Sequence, residues 1–89
     1  MMKLIIAIVH HTDGEDVLKA LTEAGFRVTR IASSGGFLRK GNATLLVGVE
    51  AEQVASAVQI IREYSTPPMD PGLKRGAVFV LKVDRFEQI

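Results

Sequence analysis

The side chains best suited to chemistry cluster in one stretch: Arg27 and Thr29, then Ser33-Ser34-Gly35-Gly36-Phe37-Leu38-Arg39-Lys40-Gly41-Asn42. On an extended segment, residues two apart share a face, so the Arg27 guanidinium and the Thr29 hydroxyl would lie side by side. Such a pair suits phosphate or sugar oxygens. Successive glycines at 35 and 36 let backbone N–H groups converge on an anion. Phe37 offers a stacking plane, and the Asn42 amide both donates and accepts along a base edge. Charge, stack and edge together are what a nucleotide requires. A rival account needs no ligand: Phe37 and Leu38 fold back as a hydrophobic plug while Arg27, Arg39 and Lys40 solubilise the surface. Residue chemistry alone leaves the two accounts level, since a glycine pair by itself also marks an ordinary hairpin loop.

Other constellations carry less. His10 and His11 are adjacent, so on a strand their rings would point to opposite faces, and no shared metal is expected. Asp13, Glu15 and Asp16 read as helix-start residues that complement the helix dipole. The absence of cysteine excludes disulfides and the common zinc spacings. Ser33, Ser34 or Thr29 could be set against His10 as nucleophile and base, but neither an elbow motif nor a Walker-type lysine accompanies them, and no enzyme is expected.

These residues must be held by a small frame. Residues 3–9 are almost continuously aliphatic and β-branched, the pattern of a strand buried on both faces. Thr12 and Glu15 fit a capping box, and Val17, Leu18, Leu21 and Ala24 recur at helical spacing up to a stop at Gly25. Residues 26–32 alternate as a second strand, with Phe26, Val28, Arg30 and Ala32 on one face and Arg27, Thr29 and Ile31 on the other. A glycine-rich loop leads to a third strand over 43–49, so the two strands form a long-looped hairpin. Val54, Ala55, Val58 and Ile61 stripe a second helix over 51–63. Residues 64–75 hold all three prolines and read as a loop, 77–83 as a fourth strand, and 84–89 as a short tail.

The order βαββαβ predicts an α+β, ferredoxin-like fold: one four-stranded antiparallel sheet with both helices on one face, a single domain over residues 1–89. Leu4, Ile6 and Ile8 fall on one side of the first strand and Ile5, Ala7 and Val9 on the other, and the fourth strand repeats this with Phe79, Leu81 and Val83 against Val78 and Val80, so the side that the helices leave uncovered is apolar either way. Such a face in water is an association surface. The sheet is expected to pack against further copies of the chain. Eleven Lys plus Arg against ten Asp plus Glu leave a net charge of +1, so no overall field recruits nucleic acid. The apolar run 4–9 is far short of the ~20 residues a membrane-spanning helix needs, and a cytoplasmic location is the expectation.

Residues 3–9, 26–42 and 76–88 closely resemble the PII-like cyclic di-AMP receptor family, most specifically in Ser34-Gly35-Gly36-Phe37-Leu38. The resemblance implies a homotrimer with a cyclic dinucleotide in each cleft between subunits, a signalling receptor without catalysis, no cofactor, and an unidentified downstream protein. It places ligand contacts on Arg27, Thr29, Gly36, Phe37, Leu38, Asn42, Gly48, Phe79 and Gln88; the last three come from the resemblance alone. Two departures stand out. The connection before the last strand is short, with Pro67-Pro68-Met69-Asp70-Pro71-Gly72 in place of a longer family loop, and Gly25 stands where the family carries a polar amide. They leave open a sensor of another adenine nucleotide, or a trimeric interaction module with a vestigial pocket.

Overall fold

The computed structural model describes residues 1–31, 41–66 and 76–89. Its elements are β1 (Met2–His10), α1 (Gly14–Glu23), β2 (Arg27–Ile31), β3 (Asn42–Glu50), a 3-10 turn (Ala51–Gln53), α2 (Val54–Glu63) and β4 (Ala77–Lys82). The strands form one antiparallel sheet in the order β2-β3-β1-β4. This is the ferredoxin-like arrangement that the βαββαβ order predicts.

Alternation along the strands builds the core. Ile5, Ala7 and Val9 of β1 and Ala43, Leu45, Val47 and Val49 of β3 are buried against Val17 and Leu21 of α1 and Ala57 and Ile61 of α2. Of the expected helix stripes, Ala24 and Ala55 are exposed, whereas Ala57, not in the expected stripe, is buried. α1 ends as expected at Gly25, whose φ of 93° is the left-handed turn glycine tolerates. There Phe26 N–H bonds Leu21 O and Gly25 N–H bonds Thr22 O, both at 3.0 Å, closing the open carbonyls of the last turn. Phe26 then packs on the core and aims the chain into β2.

The start of α1 departs from expectation. Thr12 forms no capping box with Glu15: Asp13 is the residue before the helix, and no side chain caps it. Thr12 is otherwise engaged, since its hydroxyl (2.7 Å) and backbone N–H (3.4 Å) both reach His10 Nδ1. Asp13 is buried and turns away from its own helix to Thr66, past the end of α2, accepting from the Thr66 hydroxyl at 2.6 Å and N–H at 2.9 Å. A reciprocal cap does occur before α2, where Glu50 N–H donates to Gln53 Oε1 at 3.0 Å, and the first turn there is 3-10 rather than α.

β4 is an edge strand that the helices do not reach. Val78 and Val80, on the helix side, are 38% and 43% exposed, and Phe79 and Leu81, on the other side, 52% and 47%. At its start a Cβ on Gly76 would collide with the Ile8 carbonyl oxygen, so only glycine lets the strand approach β1 this closely.

Candidate functional site

Register, more than sequence distance, decides which residues meet. Across the sheet Arg27 pairs with Gly48, Gly48 with Leu4, and Leu4 with Leu81; the next row is Thr29, Leu46, Ile6 and Phe79. Directly paired residues lie on one face. Arg27, Thr29, Gly48 and Phe79 therefore share the face opposite the helices; of this, the alternation in β2 predicts that Arg27 and Thr29 lie together.

A groove of about 510 Å³ opens in this face, lined by Met2, Lys3, Leu4, Arg27, Thr29, Leu46, Gly48, Val83 and Phe86. Gly48 is what hollows it. A Cβ built there meets nothing within 4 Å, so any side chain would project into open space between Arg27 and Leu4. Arg27 stands exposed at the rim. Arg30 pairs with Glu15 at 3.8 Å and Arg85 with Glu87 at 2.7 Å, whereas Arg27 has no ion-pair partner among the described residues. An apolar hollow with an uncommitted guanidinium and a hydroxyl at its edge can hold a flat ring and an anion at once.

The remaining expected residues fall elsewhere. Phe79 lies on the same face but does not line the groove. Asn42 pairs with His10 at the other end of β3, six residues from Gly48 and so about 20 Å away. Gln88 is exposed in the tail, two residues beyond Phe86. Gly36, Phe37 and Leu38 lie outside the described residues. Phe86, Met2 and Val83 are not candidates from sequence; the path of the tail that puts Phe86 on the same groove as Arg27 has no periodic signal.

His10 and His11 also correct an expectation. Their ring centroids are 4.7 Å apart, not on opposite faces, because β1 ends at His10 and His11 already belongs to the turn. His11 fastens the base of the β2–β3 connection: its backbone N–H and its Nδ1 both donate to Gly41 O, at 2.7 and 2.9 Å. Among the described residues, no group of three or more His, Cys, Asp or Glu side chains comes together to hold a metal.

Residues 2–68 match the family described as cyclic-di-AMP receptor, and the chain belongs to it. Among solved structures, the chain is similar to a functionally unknown protein from Pediococcus pentosaceus ATCC 25745, with a TM-score of 0.79 and 33% sequence identity over 99% of this chain and 97% of that one. Such mutual coverage means that the two chains have nearly the same length. No helix among the described residues is long and apolar enough to cross a membrane.

Proposed function

We propose that this chain is a cytoplasmic signalling receptor that binds cyclic di-AMP without altering it, at clefts between the subunits of a homotrimer. The observation that carries the reading is Arg27, a cation with no ion-pair partner among the described residues, at the rim of the apolar groove that Gly48 opens. Arg27 and Thr29 take phosphate and sugar oxygens, and the apolar floor takes a base. Gly36, Phe37 and Leu38 supply backbone groups and a stack from the β2–β3 connection, while Asn42 and Gln88 read polar edges and Phe79 adds apolar surface.

The separation of Asn42 from Arg27 supports a shared site. A single subunit holds these two residues at opposite ends of the sheet, whereas two neighbouring copies can bring the Arg27 end of one against the Asn42 end of the next. The exposed apolar faces of β4 supply the surface for such packing. The role is binding alone, and no cofactor takes part. Titration calorimetry with cyclic di-AMP, ATP and AMP tests the reading: cyclic di-AMP binds with one site per subunit interface and binds tightest. Tighter binding of ATP or AMP reassigns the ligand, and no binding of any of the three favours a purely structural trimer.

A further inference from the structure

We propose that Phe86 is a ligand-stacking residue, carried by the C-terminal tail to form one wall of the groove. The inference rests on the receptor reading above and deepens it, naming a contact at the same site.

β4 lies on the opposite edge of the sheet from β2, with β1 and β3 between them. Yet Phe86, four residues past the end of β4, lines the same groove as Arg27 and Thr29 of β2. The tail first continues the pairing of β4 with β1, Val83 N–H donating to Met2 O at 3.2 Å in the rung after Lys3 and Lys82, and then bends at Asp84 before Phe86 meets the groove. Phe86 is nevertheless 62% exposed. A phenyl ring that served the fold would be buried; this one borders an apolar hollow and leaves most of its surface to solvent. Its neighbours Arg85 and Glu87 pair with each other at 2.7 Å, so neither competes for the groove. Leu4 and Leu46 line the same groove, which is open over Gly48. In this assignment a planar purine lies against the ring while its phosphate takes Arg27.

Calorimetry with cyclic di-AMP on the full chain tests the assignment through Phe86→Ala, Phe86→Leu and Phe86→Tyr. Loss of one base stack weakens binding roughly 5- to 150-fold, expected for the alanine and leucine variants alike, whereas tyrosine keeps the ring and binds within about twofold of wild type. Thermal melts should be unchanged in all three, because the ring is largely exposed. Leucine binding as well as tyrosine overturns stacking in favour of simple apolar cover. Alanine binding as well as or better than wild type overturns the assignment, and if Arg27→Ala still loses affinity, the receptor reading stands without it. Wild type failing to bind cyclic di-AMP overturns both.

Discussion

Gly48 is the residue at which stability and binding come apart. Its added Cβ would touch nothing within 4 Å, and glycine is a poor strand residue for reasons of chain entropy. Gly48→Val is therefore expected to melt at the same temperature as wild type or higher, while filling the groove and weakening cyclic di-AMP at least about tenfold. A melting curve beside a calorimetric titration checks both halves. If Arg27 holds the phosphate as proposed, Arg27→Ala removes a charge-assisted hydrogen bond of about 1.5–3 kcal/mol, a loss of roughly 10- to 150-fold in affinity on titration. What remains of binding in that variant should respond less to added salt, since the exposed ion pair is the screened part. Arg27 and Thr29 were legible in the sequence because strand alternation puts them on one face. The concavity was not, because it exists only when Gly48 is set by register between Arg27 and Leu4.

Among the elements, hydrophobic period gave strands and helices nearly to their observed ends, and Gly25 marked the helix stop through its backbone freedom. The failures were local side-chain choices. Thr12 and Glu15 have the spacing of a cap, but the Thr12 hydroxyl is committed to His10, and the His10–His11 alternation fails because the strand stops between them. The partnership that ties α1 to α2 joins positions 53 residues apart and leaves no trace in any window of sequence. Asp13→Ala removes two hydrogen bonds to Thr66, and because Thr66 is exposed and water can take its freed donors, the cost is about 1 kcal/mol. Urea unfolding should show this as a lower midpoint with an unchanged slope, and Thr66→Val should show part of the same loss.

At the scale of the whole molecule, the unshielded face of β4 is the feature that asks for company. Phe79 and Leu81 on one side and Val78 and Val80 on the other are too exposed for a well-hidden core. If the open face is the seam of a trimer, Ile6→Lys in its middle should shift light scattering from three chains' mass to one while circular dichroism stays that of the folded chain. A wild-type monomer at micromolar concentration would remove the clefts on which the receptor reading depends. The doubly apolar character of β1 and β4 was legible in sequence; that the helices stop short of β4 even on their own side was not, since it depends on how far two ten-residue helices extend over four strands.

The span between Thr66 and Gly76 is moored independently at each bank, by the Asp13 carboxylate on one side and by close backbone apposition to Ile8 on the other. Chain inserted between two such moorings costs little, about 0.6 kcal/mol for each doubling of length. The length of this connection can thus change without disturbing the sheet and helices at either end of it.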